Sequence, residues 1–387
     1  YKIDGVDGGE EVWTVPYLIS NGTPTDNTRA LHAFLWLKSA YEQSAHKSGG
    51  RGVILARFGY CSHRFPFIWD GDEGWPDFGT RIVRNHLSMA LSGFASYTFD
   101  IMDYYNYTST DEQQLRQLAF GMLTPNPLMY SGEIWNTSPT KLAGYLKYAS
   151  LHYRLLPYIY STAWHASQTG TPSMRPVVME YPSDPNCQQN SMDYFLGEWL
   201  FVSPVVASSN ETPRTHTTVY LPAGVWTDWW DGTVSTGPMT LTNYPAPMDK
   251  LPMFVKAGAI IPMGPDMQYV DEKATDPLTL EIWPSGISSF SMYEDNGGDR
   301  PGWQNHTITT FTCTEQGQNV RVDYVVVDRG FGVPSRTYVY NVRWRGKPAP
   351  TQVVAGAEVL TKYELSLIHI SEPTRLLSIS YAVFCLK

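Results

Sequence analysis

Three acids stand between two tryptophans in PFIWDGDEGW, residues 66–75: Asp70, Asp72 and Glu73, between Trp69 and Trp75. An ionised carboxylate is costly beside aromatic surface. Such a loop either lies in water or holds a carboxylic acid with a raised pKa, against a wall that can stack on a ring-shaped ligand. More chemistry-bearing residues end short apolar runs: Asp4 in YKID, Arg57 in ILAR and Asp100 in YTFD. A single Asp at a strand end is more often a turn residue than a catalytic one. As a set, two carboxylates converging with a cationic neighbour suit glycosidic bond cleavage, in which one ionised acid attacks the sugar and one protonated acid serves the leaving oxygen. Asp4, beside Lys2, is expected to stay ionised, and Asp72, among tryptophans, to hold its proton.

Those residues need elements to position them. GGRGVILARFGY (49–60) reads as a buried strand running into a polar loop, and FASYTFDIM (94–102) as a strand ending in Asp100. TRIVRNHLSMALSG (80–93) has helical spacing and a glycine stop, and DEQQLRQLAFGM (111–122) begins with acids, as a helix start favours. Residues 140–170 read as a long helical stretch broken at Pro157. Strand, loop and helix in alternation predict parallel α/β units, in which catalytic groups gather where strands end. After Gly170 helical periodicity disappears, and short strands alternate with Pro/Gly/Asn/Asp turns to about Val354, an all-β region of two sandwich-like modules.

Composition narrows the partners. The 387 residues carry a formal net charge of -9, with 13 Trp and 25 Tyr. An acidic chain without a Lys/Arg block is a poor nucleic-acid binder, whereas abundant Trp and Tyr suit ring-stacking ligands as well as β-domain packing. No apolar run approaches the ~20 residues of a membrane span. Cys61, Cys187, Cys313 and Cys385 offer neither metal-site spacing nor a disulfide framework. His63, His86, His152 and His165 show no ligand spacing, and a G-x-S-x-G serine-hydrolase motif is absent. Sequons at Asn21, Asn106, Asn136, Asn210 and Asn305 lean towards a secreted or secretory-pathway protein.

Together these segments resemble glycoside hydrolase family 31, the retaining α-glucosidases, α-xylosidases, α-galactosidases and their transglycosylating relatives. YKIDGVD is similar to the family's nucleophile segment, and ARFGY…WDGD to its arginine segment and acid/base motif. LSGFASYTFDI matches the strand ending in Asp-Ile. YRLLPYIYSTAWHASQTGTPSMRPVVMEYPSDP (153–185), FLGEWLFVSPVV, VYLPAGVWTDWWDG, LPMFVKAGAIIPM and YEDNG follow in the family's order, so the resemblance covers about Tyr1 to Val354. It implies the second half of a (β/α)8 TIM barrel followed by all-β sandwich-like C-terminal domains. The expected divisions are a partial barrel over 1–170, a proximal β-sandwich over 171–264 and a distal β domain over 265–360. Residues 361–387 resemble translated sequencing-adaptor read-through and are expected to stand apart from the fold.

Carried over by motif, the resemblance makes Asp4 the nucleophile and Asp72 the acid/base. Arg57, Trp69 and Asp100 become substrate-binding residues, and Asp70 fills a variable position. Asp7 stands where the family usually has Glu. Leu128 and Tyr130 replace its Arg-x-His segment, and DIMDYY its Asp-Ile-Gly-Gly segment. Met129, Ser131 and Trp135 are nearer to α-galactosidase-like branches, so Tyr130 and Trp135 are expected to border the pocket and shift sugar preference. The implied reaction is exo-acting double displacement with retention, its two carboxyls ~5–5.5 Å apart, with no metal or cofactor and an oligosaccharide or glycoside as substrate. An α-galactosidase, a transglycosylase and a non-catalytic sugar-binding homologue remain alternatives. Because the family's nucleophile lies near mid-barrel, the first half of the barrel is expected to be missing here and the chain alone to be inactive.

Overall fold

The computed structural model describes residues 2–3, 29–50, 52–56, 62–65, 67–70, 81–101, 110–129, 137–206, 215–297, 305–332, 334–343, 354–355, 358–359, 371–373 and 381–384. Parallel strands come first. β1 (Lys2–Ile3), β2 (Leu55–Ala56), β3 (Phe67–Trp69) and β4 (Tyr97–Thr98) lie side by side in that order. Ile3 sits opposite Ala56, Ala56 opposite Ile68, and Trp69 opposite Thr98. β5 (Asp100–Ile101) pairs in parallel with β6 (Leu128–Met129). The expected strand over 94–102 is therefore two, since the chain changes partner at Phe99.

Parallel neighbours need crossovers, and helices supply them. α1 (Arg29–Lys47) lies between β1 and β2, α2 (Val83–Leu91) between β3 and β4, and α3 (Asp111–Met122) between β5 and β6. α2 buries Val83, Leu87 and Ala90, and stops before Gly93, whose φ of 85° favours glycine. α3 opens with a capping box: Gln113 N–H donates to the Thr110 hydroxyl, and Thr110 N–H to the Gln113 side chain. The next helical stretch divides into α4 (Pro139–Arg154) and α5 (Leu156–Thr169), because Pro157 suits a helix start but has no N–H for a helix interior.

The β region begins with a six-stranded sheet in the order β11-β10-β12-β9-β8-β7. Its strands are β7 (Met174–Pro176), β8 (Tyr194–Leu196), β9 (Leu200–Val202), β10 (His216–Asp228), β11 (Val234–Pro245) and β12 (Met253–Lys256). Side chains alternate across a sheet. Tyr194, Leu196, Leu200, Val202, Met253 and Val255 accordingly join the core shared with α2–α5, whereas Phe195, Phe201 and Phe254 pack with Trp226 and Tyr244 on the other face. Two further sheets follow. β13 (Ile260–Met263), β14 (Leu278–Ile282) and β18 (Thr337–Val342) form one; β15 (Ile287–Asp295), β16 (His306–Gln316) and β17 (Asn319–Asp328) form the other. A division at 264/265 would cut the first of these, because β13 hydrogen-bonds β14 along its whole length. β19 (Val354–Ala355), β20 (Glu358–Val359) and β22 (Tyr381–Phe384) extend the β17 side, and β21 (Ser371–Pro373) pairs with β18. The segment set aside from the sequence thus contributes β21 and β22.

Buried polar contacts join the α/β unit to the first β-sheet. Tyr194 Oη donates to the Leu123 carbonyl at 2.9 Å, and Tyr148 Oη to the Asp249 carbonyl at 3.0 Å. The Arg116 guanidinium reaches the carbonyls of Ala246, Pro247 and Lys250. A barrel-type α/β unit and its β domain therefore share one core.

Candidate active site

Strand ends are where the sequence places the chemistry. Trp69 closes β3 and is 1% exposed; Asp100 opens β5 and is fully buried. Trp69 is in register with Thr98, two residues before Asp100, so neighbouring strand segments carry both residues. β1 and β2, which immediately precede Asp4 and Arg57 in the chain, also end in register, Ile3 beside Ala56. Asp4, Arg57, Asp72, Tyr130 and Trp135 themselves lie outside the described residues, as does Asp7.

Asp70, assigned no role from the sequence, is held closely. Its N–H donates to the Thr98 carbonyl at 2.8 Å. Its Oδ2 lies 3.4 Å from Nδ1 of His86, a fully buried residue of α2. The same Nδ1 is 2.8 Å from the Ile82 carbonyl. Edges and faces of Tyr97, Phe99 and Phe120 surround the imidazole. Burial drives the Tyr97 phenol well above its ordinary pKa, and the Asp70 charge adds to that. Sequence reading missed the pairing because a lone histidine on an apolar helix face reads as core; the nearest signal was the acid in the variable position of WDGD.

Beside β2, β4 and β6 lies a cavity of about 450 Å³, walled by Leu55, Thr98, Leu128 and Met129 with Tyr145 and His152 of α4. Burial lowers the His152 pKa, while its Nδ1 contact to the Met122 carbonyl opposes the shift. Trp69 and Asp100 do not line this space. Among the described residues no group of three His, Cys, Asp or Glu side chains is arranged to hold a metal ion. None of the helices among them is long and apolar enough to cross a membrane.

A parallel α/β unit fused through one core to a β domain defines a barrel-type architecture with a C-terminal β domain. Residues 6–162 match the TIM-barrel domain of glycosyl hydrolases family 31, and residues 170–261 match that family's C-terminal domain. The chain belongs to glycoside hydrolase family 31. It is 28% identical to an isomaltosyltransferase of Sporosarcina globispora, over 94% of this chain and 34% of that protein. Identity to an α-xylosidase of Saccharolobus solfataricus is also 28%, over 67% of this chain and 36% of the relative. A glucose-bound family 31 dextranase of Flavobacterium johnsoniae superposes with a TM-score of 0.84 at 26% identity, covering 95% of this chain and 50% of that structure. The chain thus spans about a third of the length of these curated relatives.

Proposed function

We propose that the protein is a retaining, exo-acting α-glycoside hydrolase that releases terminal α-linked sugars by double displacement. The observation that carries this reading is the row of parallel strand ends bearing Trp69 and Asp100, in a chain of this family. Asp4 acts as nucleophile on the anomeric carbon while Asp72 protonates the leaving oxygen. Asp72 then takes a proton from water, which releases the glycosyl group from Asp4. Arg57 and Asp100 bind sugar hydroxyls, Trp69 walls the subsite, and Tyr130 and Trp135 border it on the side that sets sugar preference.

Transfer to a second sugar instead of water is the alternative. It is favoured by the likeness to an isomaltosyltransferase over 94% of the chain. An α-galactosidase preference is a further alternative within the same mechanism. The likeness to a dextranase solved with glucose and, as a variant, with isomaltotriose supports an α-glucan substrate.

Azide rescue tests the assignment in a full-length form of the protein, with an activated aryl α-glycoside as substrate. Asp4→Ala is expected to yield the β-glycosyl azide, because azide enters from the face the nucleophile vacates. Asp72→Ala is expected to yield the α-glycosyl azide from the covalent intermediate. Unimpaired turnover by either variant overturns the assignment.

A further inference from the structure

A second cleft opens where α4, β10, β14 and β18 end. Its volume is about 170 Å³. That is below the roughly 300–1,000 Å³ of pockets for drug-sized ligands and suits a single ring. Trp229 and Trp283 lie against each other, with ring centroids 6.1 Å apart and planes inclined by 31°, and together form one apolar wall. Charged groups frame them: Arg154, Arg343, Asp228 and Glu281.

The chemistry of these groups selects a ligand. Glu281 is 5% exposed and fully engaged: Asn341 Nδ2 donates to Oε1 at 2.7 Å, while Arg343 Nε and Nη2 donate to Oε2 at 2.9 and 2.6 Å. That fork fixes the Arg343 plane, with Cζ 5.9 Å from the Trp283 centroid, and leaves Nη1 unengaged by the described residues. Arg154 makes no side-chain hydrogen bond or ion pair among the described residues; only its carbonyl is used, accepting from Gly264 N–H. Asp228 is engaged as well, accepting from Trp230 N–H and from Tyr244 Oη, so the cleft offers the N–H groups of Arg154 and of Arg343 Nη1 as donors beside an indole surface. Two cations against two anions leave no net field to hold an ion. Hydroxyl groups can both donate and accept, and an apolar ring face can lie on an indole.

We propose that this cleft is a second saccharide-binding site, holding one neutral pyranose unit of a glycan against the wall that Trp229 and Trp283 form, beside Arg154 and Arg343. None of its lining residues belongs to the strand ends that carry Trp69 and Asp100. It stands whether or not the catalytic assignments above hold.

Fluorine NMR of the full chain labelled with 5-fluorotryptophan tests it. Methyl α-D-glucopyranoside and isomaltotriose serve as probes, and Trp229→Phe and Trp283→Phe assign the signals. Saturable shifts of those two signals are expected. Arg154→Ala removes a guanidinium the fold does not use; it is expected to weaken binding at least tenfold with an unchanged melting temperature. Shifts confined to other tryptophans overturn the proposal, as does an Arg154→Ala curve that overlays the wild type. A response to acetate or inorganic phosphate without one to either sugar assigns the cleft to anions and also overturns it.

Discussion

Asp70 and His86 face each other 3.4 Å apart, their side chains 7% and 0% exposed. His86 Nδ1 hydrogen-bonds the Ile82 carbonyl, and its approach to Asp70 Oδ2 sets α2 against the residue that follows Trp69. His86→Phe removes the side-chain donor to the Ile82 carbonyl and the polar group facing Asp70 Oδ2. It is expected to destabilise the fold by about 1–3 kcal/mol, the usual cost of an unsatisfied buried polar group. Urea unfolding of His86→Phe, Asp70→Ala and the double variant gives the coupling. Strictly additive effects would show that the pair does not interact.

Arg116 joins α3 to the loop after β11. Its Nη2 lies 2.9 Å from Glu112 Oε1 and 2.8 Å from the Ala246 carbonyl, and the two charged side chains are 2% and 5% exposed. Breaking one side of a buried pair typically costs about 3–5 kcal/mol, because the remaining charge stays buried without its partner. Arg116→Met is expected to lie in that range. Glu112→Leu combined with Arg116→Met is expected to recover part of the loss, while the carbonyls Arg116 served remain unpaired. Equilibrium unfolding of the three variants measures both steps.

Gly197 turns the chain between β8 and β9 at a φ of 66°. A Cβ there would lie 2.2 Å from Tyr158 Oη and 2.8 Å from Thr162 Cγ2. Tyr158 cannot easily yield, since its hydroxyl donates to the Leu196 carbonyl and accepts from Trp199 N–H. Gly197→Ala combines left-handed backbone strain of roughly 1–2 kcal/mol with overpacking of roughly 1–3 kcal/mol. Thermal unfolding should show a correspondingly large drop, whereas Gly286→Ala, with open space around it, should lose only the backbone part.

Local chemistry made much of this fold legible. Helical spacing with Gly93 marks α2, the acids and glutamines after Thr110 mark α3, and Pro157 marks the division between α4 and α5. Long-range pairing was less accessible. AIIPM reads as the last run of one module, yet β13 hydrogen-bonds to β14 after it, because strand partners are not encoded within a strand. FASYTFDIM reads as one strand, yet two neighbours claim its halves. The places of Trp69 at the end of β3 and of Asp100 beside β4 were legible from the apolar runs that precede them. The Asp70–His86 contact was not, since it depends on how α2 lies against β3. Nor was the Arg154 cleft, whose walls come from segments far apart in the chain.

Asp193 supplies a pH test away from both sites. It is 7% exposed and accepts from Asn190 Nδ2 at 2.6 Å. Burial outweighs that bond and one from Ser203, lifting the carboxyl from 3.8 to about 6. A raised folded pKa means the native state retains a proton the unfolded chain has lost. Stability from this group is present below about pH 4 and declines as pH rises to about 6. At about 1.4 kcal/mol per pKa unit, the loss is of the order of 3 kcal/mol. Asp193→Asn is therefore expected to gain on the wild type between pH 4 and 7. Parallel melting curves would refute the assignment.

Asp100 offers the sharpest test of the proposed catalytic reading. It is fully buried at the start of β5, and a carboxylate so placed needs donors around it. As an ionised group it accepts only; Asn at the same volume presents one acceptor and one donor. If Asp100 holds sugar hydroxyls, each lost charged hydrogen bond is worth about 1.5–3 kcal/mol. At about 1.4 kcal/mol per decade, Asp100→Asn should lower kcat/KM for an aryl α-glycoside about 10–100-fold in a full-length form. Stability alone could mimic a loss of activity, so the decisive comparison is between substrates. Wild type should lose activity steeply on monodeoxy sugars lacking the hydroxyl that Asp100 binds, and Asp100→Asn should treat parent and deoxy substrates nearly alike. A variant that melts earlier but keeps the wild-type discrimination would place Asp100 in the architecture of β5 and outside the sugar subsite.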